Sequence, residues 1–233
     1  MLESVDDSPQ DLRYERKFVF DDSYRQNAES LILLHHMHFR EVYPPRWVNR
    51  IYLDTSDLMF CRANLDGWGR RQKFRIRWYG GLYGEVQSPV LEIKIKEGLA
   101  GCKSRHQLGP VNIRADISCG CLMDTLKNAE LPESILESCL SFRPVILVRY
   151  LRRYFLSSDG RFRLTLDCHL EYFGFSVYGF SETLPTRHSV SILEIKYSCK
   201  DETSSEIAGI FPFRLSRQSK YVNGVSLLMP DRF

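Results

Sequence analysis

Three segments of this sequence contain the pair Glu-x-Lys within a run that reads as an extended strand. They are Glu15-Arg16-Lys17, Glu92-Ile93-Lys94 and Glu194-Ile195-Lys196. Successive side chains of a strand point to opposite faces, so the two charges of each pair share one face. Lysine binds anionic oxygens and carboxylates bind divalent cations. The three segments therefore predict strands with a charged face that can do chemistry on anions.

Further cations alternate with apolar residues in other predicted strands. The ten cations on these faces are Lys17, Lys73, Arg75, Arg77, Lys94, Lys96, Arg152, Arg161, Arg163 and Lys196, and the four carboxylates are Glu15, Glu92, Asp167 and Glu194. The whole chain is nearly balanced, with 32 Lys+Arg against 29 Asp+Glu. The balanced charge of the whole chain excludes a generally basic nucleic-acid binder. The charged faces are far more basic than the chain, so they predict a local site for anions.

Two arrangements of these strands are open. In an ordinary antiparallel sheet, the apolar face is buried and the charged face is wet. In a sheet that closes into a barrel, the charged face lines the interior and the apolar face packs under helices. Like charges on neighbouring strands repel and destabilise the sheet unless an anion lies between them, as it could inside a barrel. Arginine binds phosphate through its planar fork and lysine acts as a point charge, which makes a basic interior a phosphate site.

The rest of the sequence predicts one α+β domain over residues 13–233, mainly antiparallel strands, after a flexible segment at 1–12. The 43% hydrophobic content is enough for a core, and no apolar run approaches the roughly 20 residues of a membrane span. The polar start is not a signal peptide, and the seven cysteines form no CxxC pair. We therefore expect reduced thiols and a cytoplasmic protein.

Periodicity and capping residues place the individual elements. Strands are predicted at 13–20, 48–53, 72–79, 90–96, 145–156, 161–166, 173–177 and 191–197, and helices at about 21–40, 116–140 (split at Pro132) and from about 203. The strands at 72–79 and 90–96 are predicted to form an antiparallel hairpin. Pro44-Pro45 is expected to break the chain, and a short polar segment is expected after Asp54.

The motifs of the chain, taken in order, resemble a known family. The motifs are RYERKF, NRIYLDT, G-x-G-x5-RIR, LEIKIK, a basic loop with Lys103 and Arg105, RPVILVRYLRRYF, RLTLD, LEIKY and SRQSKYVNG. They resemble the VTC domain, which is the polyphosphate polymerase domain of the vacuolar transporter chaperone family within the CYTH-like triphosphate tunnel metalloenzyme superfamily. The resemblance runs from Arg13 to Gly224.

This resemblance implies an antiparallel β-barrel that forms a triphosphate tunnel, with helices outside and at the C-terminus. It implies transfer of the ATP γ-phosphate to a phosphate or polyphosphate chain, so ATP or triphosphate and polyphosphate are the expected partners. The implied catalytic phosphate contacts are Lys17, Arg75, Arg77, Lys94, Arg152, Arg163 and Lys196, and the implied substrate-binding residues are Lys103, Ser219 and Lys220. Lys103 is not distinguished from Arg105 or His106. Glu194 is the implied ligand for Mn2+ or Mg2+.

One departure from the family pattern bears on the reaction. Hydrolytic members of the superfamily tend to begin with Glu-x-Glu-x-Lys, whereas this chain has Arg13, Glu15 and Lys17. The loss of one carboxylate weakens a metal site that must activate water, which favours phosphate transfer over hydrolysis. A metal-dependent triphosphatase and a binding module without turnover remain the alternatives. The regulatory SPX domain and membrane region of eukaryotic polymerase subunits have no counterpart in the sequence.

Other residues with reactive side chains are interpreted as structural. His35, His36 and His38 include no i, i+4 pair, so they do not predict a metal site on a helix. Cys119 and Cys121 are interpreted as the start of a helix. The three tryptophans (47, 68 and 78) are interpreted as packing residues, and the aromatic residue that could hold an adenine is not identified.

Overall fold

The computed structural model describes residues 13–98, 100–176, 178–180, 185–198 and 211–232. The strands are β1 (Arg13–Asp21), β2 (Arg40–Asp54), β3 (Arg70–Tyr79), β4 (Gly84–Val86), β5 (Val90–Glu97), β6 (Ala100–Gln107), β7 (Val111–Ile113), β8 (Arg143–Leu156), β9 (Arg163–Ser176), β10 (Gly179–Phe180), β11 (Thr186–His188) and β12 (Val190–Ser198). The helices are α1 (Arg25–Leu33), α2 (Met59–Leu65), α3 (Cys119–Lys127), α4 (Glu133–Leu140) and α5 (Lys220–Leu228), with short 3-10 turns at Asp22–Tyr24 and Pro230–Arg232. The predicted flexible segment at 1–12 lies outside the described residues.

One long antiparallel sheet dominates the fold. Its strand order is β1-β12-β9-β8-β2-β3-β5-β6, with β10 and β11 attached to β9, while β4 and β7 form a separate small pair. The sheet curls into a half-barrel: Glu15 of β1 lies 3.8 Å from Lys94 of β5, although five strands separate them in the sheet. This confirms the predicted α+β class with antiparallel strands. Within the described residues, no backbone pairing joins β1 to β6.

The convex face of the sheet carries most of the core. Around β3 and β5, side chains such as Ile76, Trp78 and Leu91 are buried with residues of α3 and α4. Around β9 and β12, Leu164 and Leu193 are buried with residues of α1. The apolar positions of the alternating strands thus face outward under helices, so the charged positions face the concave side. This is the predicted barrel arrangement rather than a sheet with a wet charged face.

The C-terminal helix occupies the concave side at one end. Tyr221 of α5 stacks on Tyr52 of β2 with ring centroids 4.8 Å apart, and its hydroxyl donates to Asp54 Oδ2 at 2.6 Å. Val225 is buried in the same cluster as Tyr172. The helices α1, α3 and α4 lie outside as predicted, whereas α5 closes one end of the concave space.

A bulge in β9 changes which side chains of that strand face α5. Between the pairs Leu151–Cys168 and Arg149–Glu171 the register shifts, and His169 has a positive φ of 52°. An extra residue in a strand reverses which side chains face each way beyond it. Asp167 before the bulge and Tyr172 after it therefore both face the concave side. Asp167 accepts a hydrogen bond from Lys220 there, and Tyr172 packs against α5.

Gly224 is where α5 comes closest to the sheet, which gives a prediction. A Cβ there would lie 2.6 Å from Ile146 Cδ1 and 2.6 Å from Tyr172 Cδ1. Overpacking of this kind costs typically about 1–3 kcal/mol, so we expect Gly224→Ala to lower the free energy of unfolding by that amount. The matched control is Gly120→Ala in α3, where the nearest atom is Ser118 Oγ at 3.6 Å. That change should be neutral or stabilising by up to about 1 kcal/mol in urea unfolding; equal effects of the two variants would contradict the close approach.

Two predicted boundaries were wrong because pairing with distant strands decides them. Pro44 and Pro45 do not break the chain but lie inside β2, where register shifts between Glu41 and Arg46 leave the backbone ladder irregular. The helix predicted to reach Arg40 ends at Leu33, because Arg40 already pairs with Leu156 of β8.

Three further predictions need correction. The basic loop with Lys103 and Arg105 is strand β6, paired along its length with β5. The two strands predicted at 161–166 and 173–177 are the single strand β9. The segment after Asp54 contains helix α2, whose first turn is held by the Asp54 carboxylate through Phe60 N at 2.9 Å and Cys61 N at 3.0 Å.

The tail also differs from the prediction. Of the helix predicted from about 203, residues 199–210 lie outside the described part of the chain, and 211–219 are not helical. The helix begins only at Lys220 because Ser219 caps it, with the Val222 amide donating to Ser219 Oγ at 3.4 Å.

Candidate functional site: a basic tunnel on the concave face

The concave face gathers nearly all the residues that the sequence singled out. Those with direct contacts there are Lys17, Arg75, Arg77, Lys103, Arg152, Lys196, Ser219, Lys220 and Glu194, with Lys94 reaching Glu15. Arg163 begins β9 opposite Lys196 and is exposed at the rim. Arg161, counted on the same face from the sequence, instead pairs with Asp159 in the preceding turn at 2.7 Å.

Glu92 organises one half of this face. Its carboxylate accepts from Arg75 Nε and Arg77 Nη1, each at 2.7 Å, and lies 3.6 Å from Lys103 Nζ. The side chain is only 1% exposed. Burial alone would raise the pKa of Glu92, but Arg75 and Arg77 hold it well below its usual range. One buried carboxylate thereby orients several cations toward the tunnel.

Strand register separates His106 from Lys103 and Arg105. Lys103 pairs with Lys94 and Arg105 with Glu92, so both face the tunnel. His106 pairs with Leu91, whose side chain is in the convex core, and therefore faces away. Burial lowers the pKa of Lys103 to about 8, since the attraction of Glu92 only partly offsets it.

Asp167 plays the corresponding role in the other half. It accepts from Arg152 Nη2 at 2.6 Å and from Lys220 Nζ at 2.6 Å. Burial would raise the pKa of Asp167, but these two cations lower it to about 2. Asp167, the last residue of RLTLD, thus connects Arg152 of β8 to Lys220, the first residue of α5. No local sequence pattern predicts this contact.

Between these two halves lie the carboxylates Glu194 and Glu15. Glu194 Oε1 is 2.9 Å from Lys196 and Oε2 is 3.6 Å from Lys17, which also contacts Glu15 at 2.6 Å. Burial would raise the pKa of Glu194, but Lys196 and Lys17 hold it well below its usual range. Glu194 also opposes ionisation of Glu15, so the two carboxylates are electrostatic neighbours.

This pair fits a divalent cation that is shared with phosphates. Hard ions such as Mg2+ are commonly bound by one or two carboxylates plus substrate phosphate oxygens and water. Within the described residues, no group of three or more His, Cys, Asp or Glu side chains is placed to hold a metal ion alone. Glu194 and Glu15 are carboxylates that could hold such an ion together with phosphate oxygens.

The N-terminus of α5 points into the charged space. Ser219 caps the helix and also accepts from Lys73 Nζ at 3.0 Å, and Lys220 follows as the first helical residue. Burial lowers the pKa of Lys73 to about 8. Free amide groups and the positive end of the helix dipole favour anions here. The closed end of the tunnel thus also carries cations, Lys73 and Lys220.

The family model described as "VTC domain" matches residues 12–229. This protein belongs to the VTC domain family. HpAC1 of Hippeastrum, a candidate adenylyl cyclase with a dominant triphosphatase activity, superposes with a TM-score of 0.53 at 15% identity, covering 95% of this chain and 98% of that one. PH1819 of Pyrococcus horikoshii OT3 matches with a TM-score of 0.48 at 14% identity, covering 92% and 99%.

The superposition with HpAC1 shows a shared fold. A search of curated proteins finds no match. None of the helices in the described ranges of this VTC domain is long and apolar enough to cross a membrane.

Sequence reasoning missed Tyr52 in this VTC domain. Its ring is 3% exposed and lies opposite Arg75 on the neighbouring strand. Burial would raise the pKa of the phenol, but Arg75, Arg50 and Lys73 outweigh it and lower the pKa to about 7. The cations around Tyr52 therefore favour the ionised form of this buried phenol. The sequence places Tyr52 on the same strand face as Arg50. That pattern is common in ordinary strands, so it did not single out Tyr52.

The Tyr52 phenol gives a pH prediction. Its folded pKa of about 7 lies below the usual value of about 10, so the unfolded chain binds more protons between these pH values. Stability from Tyr52 therefore grows as pH rises through this window and is lost as pH falls through about 7. We expect the free energy of unfolding of the wild type to rise relative to Tyr52→Phe by about 1–2 kcal/mol between about pH 7 and 9. Parallel stability curves for the two proteins in urea unfolding would contradict this.

His35 and Cys119 lie away from the charged face, in agreement with their structural interpretation. His35 is buried and stacks on Phe211 at 5.4 Å, in the cluster under α1. Burial and the neighbouring His36 lower the pKa of His35. Cys119 begins α3 as predicted, and all six cysteines that the structure describes are free thiols.

Proposed function

We propose that this VTC domain is a metal-dependent phosphotransferase that moves the γ-phosphate of ATP onto a phosphate or polyphosphate chain bound in the basic tunnel. The observation that supports it most directly is the charge of the concave face. The cations that contact its four carboxylates are Lys17, Arg75, Arg77, Lys94, Lys103, Arg105, Arg152, Lys196 and Lys220. A face that merely paired with itself would carry nearly equal numbers of both signs.

The arrangement of the cations fits a chain of phosphates. Arg75, Arg77 and Arg152 are each fixed by a buried carboxylate, so their remaining donors are pre-oriented. Arginine forks bind two oxygens of one phosphate, whereas Lys17 and Lys196 add point charges nearby. The positive end of α5 would bind the phosphate that lies deepest.

In the proposed reaction, an oxygen of the acceptor phosphate attacks the γ-phosphorus of ATP. The bond from that phosphorus to the β–γ bridging oxygen breaks, and ADP leaves with the electron pair. The acceptor oxygen is already ionised near neutral pH, so no general base is required. The protein acts by positioning the two phosphates in line and by neutralising their charge.

The metal proposed here is Mn2+ or Mg2+, with Glu194 as the ligand and Glu15 as its neighbour. When bound, such an ion would neutralise charge that develops on the phosphate oxygens during transfer. The cations around Glu194 keep it ionised, and an ionised carboxylate is the form that binds metal.

The test is a product assay. The purified protein is incubated with ATP, Mn2+ and a short polyphosphate primer, and products are resolved by chain length on a gel. Chain growth with release of ADP is the expected result. Free phosphate without chains would replace the proposal by a triphosphatase, and neither product, with tight triphosphate binding, would replace it by a binding module for polyanions.

Triphosphate hydrolysis is the second candidate, because Glu15 and Glu194 are a pair of carboxylates that could share a metal ion with an attacking water. HpAC1, which shares the fold, is described by its triphosphatase activity. The contacts of Lys17 with both carboxylates weigh against this candidate, since they reduce the charge available to the metal.

A further inference from the structure

Arg46 faces the tunnel at the end opposite α5, and neither the motifs nor the proposed reaction uses it. It pairs in register with Arg152 on β8 and lies on the same face of β2 as Arg50 and Tyr52. Arg46 lies six positions before Tyr52, which packs on α5, so the two residues are roughly 20 Å apart along β2. Tyr43 and Tyr79 beside it are 40% and 44% exposed, which marks this end as the open mouth.

The guanidinium of Arg46 is held by aromatic rings rather than by an acid. Its central carbon lies 4.9 Å from the ring centroid of Tyr43, 5.1 Å from that of Tyr79 and 4.8 Å from that of Tyr154. Among the residues that the structure describes, no carboxylate lies within ion-pair distance of it, and its buried Nε has no hydrogen-bond partner. Arg152, its neighbour across the strands, is instead neutralised by Asp167.

The rings that hold Arg46 also touch the arginines deeper in the tunnel. Arg77 lies 4.9 Å from the ring centroid of Tyr79, and Arg152 lies 5.9 Å from that of Tyr154. Arg46 therefore continues the series of guanidinium groups outward from the tunnel. Cations this close repel one another unless an anion lies between them, and tyrosine faces stabilise a guanidinium while leaving its N–H donors free.

We propose that Arg46 forms an outer phosphate subsite at the mouth, which binds the part of a polyphosphate chain that extends beyond the phosphates held deeper in the tunnel. The inference rests on the proposed function for the identity of the chain. We expect a triphosphate held near Lys17, Lys196 and Lys220 to leave the outward-facing guanidinium of Arg46 free, whereas a longer chain would pass it. Arg46 thus makes the protein bind long chains more tightly than short ones.

The test compares two probes, inorganic triphosphate and long-chain polyphosphate, by calorimetric titration of the full chain. We expect Arg46→Gln to weaken binding of the long chain by about 10-fold or more, the effect of losing charge-assisted hydrogen bonds, and to change triphosphate binding less than about twofold. Arg46→Lys keeps the charge but loses the fork and should give a smaller loss for the long chain only. The matched control is Arg187→Gln, a 76% exposed arginine on β11, which removes the same charge and should change neither affinity.

Three results would overturn the inference. Equal losses for both probes would mean that Arg46 acts by positioning Arg77 and Arg152, and unchanged binding of both would mean that it does not contact phosphate. With ATP titrated as a third probe, a loss confined to ATP would assign the tyrosines and Arg46 to the nucleoside instead. If Arg46→Gln does not fold, as judged by thermal unfolding, the Arg46→Lys comparison decides between the same outcomes.

The inference and the proposed function can fail separately. Chain growth by the wild type together with unchanged long-chain binding by Arg46→Gln would overturn only the subsite. No chain growth by the wild type, together with a selective loss of long-chain binding in Arg46→Gln, would overturn only the transfer reaction and support the subsite.

Discussion

Replacing Glu194 by glutamine is expected to lower turnover by about 100- to 1000-fold, the size of effect seen when one preorganised electrostatic group is removed from an active site. Glu194 is the buried carboxylate placed between Lys17 and Lys196, and it is the proposed metal ligand. Glutamine keeps the shape but not the charge, so the metal loses its ligand while the cations remain. Turnover with ATP and Mn2+, and triphosphate affinity without metal, are measured side by side.

The expected pattern is a loss of turnover with triphosphate binding retained or slightly stronger, because the variant adds one net positive charge to the tunnel. The matched control is Glu171→Gln on the neighbouring strand β9, which is ion-paired with Arg149 at 3.6 Å but lies beyond the bulge and on the convex face. That variant should retain wild-type turnover. Undiminished activity in Glu194→Gln would remove the metal assignment, and Mn2+ titration of both variants would show whether metal affinity changed.

Replacing Arg75 by glutamine is expected to weaken binding of inorganic triphosphate by about 10- to 100-fold, because hydrogen bonds to charged groups contribute about 1.5–3 kcal/mol each. Arg75 is 17% exposed at its side chain, is fixed by Glu92 and faces Tyr52. It therefore meets phosphate from a prearranged position. Calorimetric titration with triphosphate at fixed ionic strength measures the change.

One companion variant and one further measurement separate the causes in this experiment. Arg75→Lys keeps the charge but loses the fork, so an intermediate affinity would support contact through two oxygens. Arg75→Gln should also return the pKa of Tyr52 toward its usual value, because Arg75 is the cation that lowers it most. An unchanged triphosphate affinity in Arg75→Gln, with the fold intact, would exclude Arg75 from the phosphate site.

The buried acids Glu92 and Asp167 explain how such a dense group of cations can be folded at all. Each lies almost fully inside the protein and contacts cations from different strands or from α5. Removing one partner of a buried pair leaves the other charge uncompensated, so these acids hold the cations in place when no ligand is bound. They are counter-charges that orient the site, whereas Glu194 and Glu15 are the carboxylates proposed for metal.

Much of the charged face could be read from local spacing. The alternation in LEIKIK and LEIKY sets which side chains share a face, since the period of a strand is two residues wherever the strand lies. This is why Lys17, Arg75, Lys94 and Glu194 were grouped correctly without coordinates. The bulge at His169 and the prolines inside β2 were not readable, because pairing with distant strands decided them.

The sequence by itself therefore determined that this protein has strands with one apolar and one basic face, and that the basic residues number more than the acids among them. Only the tertiary structure decided that the basic faces curl toward each other, that α5 closes one end, and which acid neutralises which cation. The contacts Asp167–Lys220, Glu15–Lys94 and Lys73–Ser219 join residues far apart in the chain. Such contacts depend on strand order and sheet curvature, which follow from the packing of the whole core rather than from any local pattern.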